Sequence, residues 1–434
     1  MPDIRIFMGD NNTKNKSYGF ALFLIGCLFF IFGFITWSNS QLIPYLKIAC
    51  QLSDTQSYYV ASAFFAAYFV MSVPSSFVLK ATGFKKGMSL GLLIMALGAL
   101  LFIPAAKDRN YALFLTGLFI IGTGLALLQT ASNPYVTVLG PIESAASRIS
   151  IMGICNKVAG ILAVYVLGSI TLNNVDALKA KLLTLSPAEK NIELNALASK
   201  VIGPYTIIAI VLAALAIILY FIHLPEIKDE ENVVEEIAEI KQKTIWSYPH
   251  MLLGALAIFF YVGVEVISYD TFAGFGEALG YSLDTAKHFA TYTGYGLLAG
   301  YVFSIFAIPA IIDQRKALII ATLLSMLMVL LSMFTKGIPA VVCFALLGFT
   351  NSVMWPAIWP LALTGVGKFT KLGGALLVMC IVGGAVLPPL YAKLAEQMGS
   401  KQLGYVIMIP CYLYILYFAV KGYKLKNIST STGK

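Results

Sequence analysis

The sequence predicts an all-α membrane protein of twelve transmembrane helices in two pseudo-symmetric six-helix halves. Three observations predict it. Of the 434 residues 59% are hydrophobic and 12% charged, against roughly 25% charged in soluble globular domains. Apolar runs of about 20 residues, the length that crosses a ~30 Å hydrocarbon core, recur along nearly the whole chain. A single long acidic stretch, from Glu226 to Glu239, divides those runs six and six. The expected organisation is an N-terminal half over 1–224, a cytoplasmic acidic linker over 225–249 and a C-terminal half over 250–434.

The elements follow in order. Span one, 19–46, comes after a polar leader and is too long for a cleaved signal, so it reads as a retained helix. Spans two (57–80) and three (87–106) flank the basic turn Gly83-Phe84-Lys85-Lys86-Gly87. Span four, 111–139, ends in the polar run Gln129 to Tyr135, and span five, 148–172, starts at Arg148. Span six is 202–224. After the linker come spans seven (250–275), eight (286–311), nine (316–335), ten (338–366), eleven (371–395) and twelve (402–422). The turn Asp313-Gln314-Arg315-Lys316 after span eight matches the turn after span two. Pro134 in span four likewise matches Pro356 in span ten. Two related halves around a midplane cavity form the architecture of secondary transporters.

The formal charge of +9 does not indicate nucleic acid, because no soluble domain carries a basic patch. Lys and Arg are more numerous in the loops on the side of the termini, which predicts both termini in the cytoplasm and a multi-pass protein of the plasma (inner) membrane. Of the six cysteines all but Cys50 fall in apolar runs, so no disulfide or zinc framework is expected. His223, His250 and His288 lie near span ends, and no phosphate loop or nucleophile–base set is present. The expectation is a monomer that is no enzyme, needs no cofactor beyond a coupling proton or sodium ion, and has a small molecule and the lipid bilayer as partners.

Polar residues inside apolar runs carry the functional reading, because hydrocarbon penalises an unpaired amide by several kcal/mol. Gln129 and Asn133 are four apart and share a helix face, and Pro134 frees a backbone carbonyl beside them. Their amides supply both donors and acceptors, the mixture a neutral polyol requires; bonding between helices is the other reading. In span one, Trp37-Ser38-Asn39-Ser40-Gln41 precedes Pro44. That cluster either lines a site or frays a helix end.

Span five holds Lys157, nine residues past Arg148 and so about 13.5 Å deep at ~1.5 Å per residue. A charge at that depth is by default a functional hypothesis, with a structural ion pair as its alternative. Span seven places Tyr261, Glu265 and Tyr269 on one face. Its carboxylate either binds a proton or pairs with Lys157. Span ten sets Asn351, Trp355 and Trp359 on one stripe, where indole faces suit the C–H face of a pyranose or anchor the helix at the interface. Tyr292 and Tyr295 in span eight are weaker candidates.

Several runs together resemble the fucose:proton symporter family of the major facilitator superfamily, which includes bacterial glucose/galactose transporters. They are Gly33-Phe34-Ile35 leading to Asn39, Ala63 to Phe69, Gly98 to Ala106, Leu128 to Pro141 with its Gln-Thr-Ala-Ser-Asn-Pro-Tyr core, and Ile381 to Pro388. The resemblance implies the major facilitator fold, a neutral hexose of glucose, galactose, mannose or fucose type as substrate, and symport with a proton or sodium. It implies a sugar-facing amide at Asn39, and Asn156 keeps the family's asparagine. Gln129 and Glu265 are similar to the glucose/galactose branch, whereas the fucose branch has glutamate at position 129. Three positions depart from the family: Ser40 stands where an aspartate is usual, Gly153 where glutamine is, and Tyr301 where arginine is.

The expected substrate residues are therefore Asn39, Gln129, Asn133, Asn156, Glu265, Tyr269, Asn351, Trp355 and Trp359. Those expected in coupling are Lys157, Glu265 and the altered Ser40. Three versions of coupling stay open: a proton on Glu265, sodium at a rebuilt site, or uncoupled facilitation with Lys157 as a fixed surrogate cation. A sugar-binding sensor on a transporter scaffold is the reading from another class.

Overall fold

The computed structural model describes residues 11–138, 145–222, 245–308, 311–366 and 370–425. Every regular element among the described residues is helical. Ten helical stretches among them are long and apolar enough to cross a membrane. The stretch Asp54–Lys107 is two crossings, because its long helix Tyr59–Leu100 breaks at Gly83 (φ 76°, ψ 167°), a left-handed position where a side chain would be strained. Helix Phe289–Ala307, diluted by threonine, tyrosine and glycine, supplies a further span. The count is then the twelve of the major facilitator fold.

Several spans are broken. Span one runs Asn11–Trp37 and resumes as Asn39–Ala49, turning at Ser38 ahead of Pro44. Span ten breaks between Gly337–Ser352 and Met354–Leu363, ahead of Pro356. Span eleven passes from Thr370–Met379 through a short 3-10 turn into Gly383–Gln397. Pro389 in its last part cannot bond the Ala385 carbonyl, and Ser62 of span two donates to that oxygen instead, 2.7 Å away. The segment between spans five and six adds two short helices, Val175–Leu182 and Pro187–Ser199. The second starts with a capping box, Ser186 with Glu189, and Pro187 at its first turn. Residues 225–244 of the expected acidic linker lie outside the described residues.

Close backbone crossings hold the bundle. Among lipid tails apolar burial cannot drive helices together, and small residues that let backbones touch do so instead. A Cβ on Gly33 would lie 1.9 Å from the Asn156 oxygen, locking span one on span five. A Cβ on Gly383 would lie 1.8 Å from the Phe259 oxygen, locking span eleven on span seven. Gly122 against Phe64 joins spans four and two, and Gly348 against Thr293 joins spans ten and eight. The same crossings thus recur in both sets of six.

The N- and C-terminal helices also meet at the end of the bundle away from the termini, called distal below. There Lys401 reaches Asp54 at 3.5 Å, and the Thr55 amide donates to Glu396 at 3.1 Å. Lys179 pairs with Glu277 at 2.6 Å. A cavity of about 240 Å³ between Asp54, Tyr58, Tyr391, Glu396 and Lys401 lies at this seam, away from the intramembrane charges. Its polar walls are already joined to one another across the seam, by Lys401 with Asp54 and by Thr55 with Glu396.

Candidate functional site

Span five crosses between span one and the C-terminal helices, so its inward face meets both sets. On that face Lys157 Nζ lies 3.1 Å from Glu265 Oε1 of span seven, and both side chains are about nine-tenths buried. Two aromatic rings complete the ammonium's surroundings. The Trp37 ring centroid is 4.2 Å away and that of Tyr301 6.0 Å. Glycines make room for both rings: a Cβ on Gly160 would lie 2.5 Å from the Trp37 ring, and one on Gly153 3.3 Å from that of Tyr301. One carboxylate and one desolvated indole face thus surround the Lys157 amine, and a cation–π contact of this kind is worth up to about 2 kcal/mol.

Trp37 ties this pair to its neighbours. Its indole N–H donates to Asn156 Oδ1 at 3.2 Å, and its ring lies 4.2 Å from that of Tyr269, tilted by 43°. Asn156 uses its own N–H on the Phe29 carbonyl at 3.4 Å. The Tyr269 hydroxyl is buried and unpartnered among the described residues. Asn39, two residues beyond Trp37, is fully buried, and neither its Nδ2 nor its Oδ1 has a partner among the described residues. Most buried amides are satisfied, so the Asn39 amide and the Tyr269 hydroxyl are unmet polar groups, the latter on a ring packed against Trp37 and so next to the ion pair. Ser40 does not add to them, because its hydroxyl folds back onto the Trp37 carbonyl at 2.8 Å.

The remaining expected residues divide. Gln129 is half-buried and donates to the Tyr68 hydroxyl at 3.1 Å. Asn133 stands in the same helix, but its side chain lies outside the described residues. Trp355 and Trp359 are half-buried with ring centroids 5.1 Å apart, and Trp355 lies 6.2 Å from Tyr261. Asn351 belongs to a separate network. Its Oδ1 accepts from Tyr412 at 2.9 Å and from Ser325 at 3.4 Å, and its Nδ2 donates to Ser268 at 3.4 Å. Its amide is fully buried and committed to spans seven, nine and twelve. Sequence reasoning placed Trp37 in a polar cluster but missed its contact with the charge, and it gave Tyr68 no role. The signal for the former was the Gly153-x3-Lys157-x2-Gly160 spacing, which leaves open faces on both sides of a buried cation.

A bundle of related helix sets with a charged pair buried across their seam defines a multi-pass transporter. The Major Facilitator Superfamily profile matches residues 25–388. A glucose/galactose transporter of Brucella abortus is 37% identical over 421 residues, covering 95% of this chain and 96% of its own. A putative glucose/galactose transporter of Helicobacter pylori is 33% identical, covering 96% and 100%. The L-fucose-proton symporter of Escherichia coli is 29% identical, covering 94% of each. Among solved structures, the transporter FucP in its outward conformation superposes with a TM-score of 0.71 at 28% identity, covering 93% of this chain and 98% of that one. The chain belongs to the major facilitator superfamily, in the branch that holds these relatives.

Proposed function

We propose that this protein carries a neutral hexose of the glucose/galactose type across the plasma (inner) membrane by alternating access, in symport with a proton or sodium ion. Residues 1–224 and 250–434 are the two rocking halves, 225–249 is the cytoplasmic linker, both termini are cytoplasmic, and the monomer is the working unit. The observation that carries this reading is the Lys157–Glu265 pair buried across the seam against Trp37, which itself meets Asn156 and Tyr269. Asn39, Asn156 and Tyr269 would meet the sugar hydroxyls next to that pair, with Gln129 and Asn133 on span four and the Trp355–Trp359 indoles opposite. Asn351 serves this reading as a brace rather than a sugar contact.

Ser40 has no ionisable group, and Gln129 cannot carry a proton. The Lys157–Glu265 pair therefore holds the charge through which coupling works in this reading. The relatives named glucose/galactose transporters and fucose-proton symporters support the substrate class. The test is uptake and counterflow of labelled glucose, galactose, mannose and fucose in proteoliposomes, under separately imposed proton and sodium gradients with and without ionophores. Saturable hexose counterflow is expected, with accumulation driven by one of the two gradients. Absence of counterflow for every hexose would overturn the assignment.

A further inference from the structure

At the distal end, two carboxylates cap each other's helices across the seam. Asp176 begins the helix after span five, and its Oδ1 and Oδ2 accept from the backbone amides of Leu283 and Asp284, at 3.2 and 2.7 Å. Asp284 begins the short helix before span eight, and its Oδ1 and Oδ2 accept from the amides of Val175 and Asp176, at 3.3 and 3.1 Å. All four bonds join an N-terminal to a C-terminal helix, and all are charge-assisted, the stronger kind. Two like charges at one spot require a counter-charge, and Lys287 supplies it: Nζ lies 2.8 Å from Asp284 and donates to the Leu172 carbonyl at 2.7 Å. Gln41 of span one donates to the Lys287 carbonyl at 2.7 Å, tying this cluster to the broken part of span one.

We propose that Asp176 and Asp284 are gating residues, the latch that holds the distal mouth closed and whose release starts its opening. The inference deepens the alternating-access reading above and rests on it for its role in transport. The geometry favours a latch over a fixed joint. Backbone amides at helix starts regain partners in water once the ends separate, so the contact breaks without orphaning a buried group. Other half-exposed ion pairs, Lys179–Glu277 and Asp54–Lys401, join the halves at the same end, beside the buried Tyr58–Tyr391 ring contact. A reciprocal pair is also cooperative, since both carboxylates leave together when either helix moves.

Asp→Asn tests this with little change of shape: one oxygen stays, and an NH2 now faces an amide N–H that had been bonded. Cysteines introduced at exposed Asp108 and Ile338, on distal loops of opposite halves, are spin-labelled in the full chain in nanodiscs without sugar, against a parent lacking the introduced pair. D176N and D284N are each expected to raise the ratio of long to short distances about tenfold, and the double variant no further than the larger single. A second label pair within one half, at Asp108 and Leu183, reads the fold and should not move. An unchanged Asp108–Ile338 distribution in both single variants, or additive opening in the double, would overturn the latch. Because no sugar enters the measurement, a chain that failed hexose counterflow could still show the latch, and the two failures stay distinct.

Discussion

Lys157 and Glu265 sit 3.1 Å apart on spans five and seven, so one buried ion pair joins helices from the two halves of the chain. Such a pair contributes little net stability compared with a well-packed apolar pair, but breaking it by removing one partner strands a charge in a dry site. Lys157→Met is therefore expected to lower stability by about 3–5 kcal/mol. Glu265→Gln should cost less, and the double variant less than Lys157→Met alone. Thermal unfolding in detergent of the two single variants and the double one reads this directly. Additive losses would mean that the two side chains act independently.

Trp37 is expected to matter through its ring face as well as its N–H. Trp37→Phe keeps an aromatic face near Lys157 but loses the donor to Asn156, a bond worth about 0.5–1.5 kcal/mol. Trp37→Leu loses the cation–π contact also, up to about 2 kcal/mol more. Hexose counterflow should fall in the order wild type, Phe, Leu. Equal rates in all three would remove Trp37 from the site.

The glycine crossings give a packing prediction. Gly33→Ala places a methyl 1.9 Å from a backbone oxygen that cannot move alone, so spans one and five must separate. A loss of about 1–3 kcal/mol or more is expected from such overpacking. Gly203→Ala, in a helix with nothing within 4 Å of the new atom, should be neutral or mildly stabilising. Fluorescence-detected size exclusion after a heat step separates the two.

Acid should open the distal latch. Burial works to raise the Asp284 carboxyl, but the Lys287 ammonium and the amides of Asp176 and Val175 outweigh it and hold it below the usual carboxylate range. A carboxylate whose closed-state value is depressed stabilises the closed state fully above its open-state value, about 3.9. That contribution is lost as pH falls through the lower closed-state value. The groups facing it are Lys287, Asp176 and His288. The Asp108–Ile338 distance is therefore expected to stay short through neutral and mildly acidic pH, and to lengthen only below about pH 4. In D284N the acid response should be smaller.

The sequence disclosed the spans because length and hydropathy are local properties, and the span-four polar run marked the family. Lys157 and Glu265 were legible as misplaced charges and their pairing as one of two readings; with 108 residues between them, it is the fold that brings the two side chains to 3.1 Å. The distal latch left only a faint trace: aspartates at helix starts are common, and nothing local says that Asp176 caps another half's helix. Asn351 shows a different ambiguity. An amide in a membrane helix reads as site or brace with equal ease until its partners on spans seven, nine and twelve are seen.

That distinction yields the last prediction. Asn351→Ala leaves the Tyr412 hydroxyl, 2.9 Å away, without its acceptor in a buried site. It also removes the acceptor of a Ser325 contact and the donor to Ser268. Orphaning buried polar groups costs about 1–3 kcal/mol each, so the variant should lose stability strongly, and Asn351→Ala/Tyr412→Phe should recover part of it by removing the stranded hydroxyl. Trp355→Ala removes a half-buried ring that makes no side-chain hydrogen bond among the described residues, and should raise KM for hexose more than it lowers the unfolding temperature. If Asn351→Ala instead raised KM with no change in unfolding temperature, the amide would contact sugar in another state of the cycle, and the network around it would be a resting place for a mobile side chain.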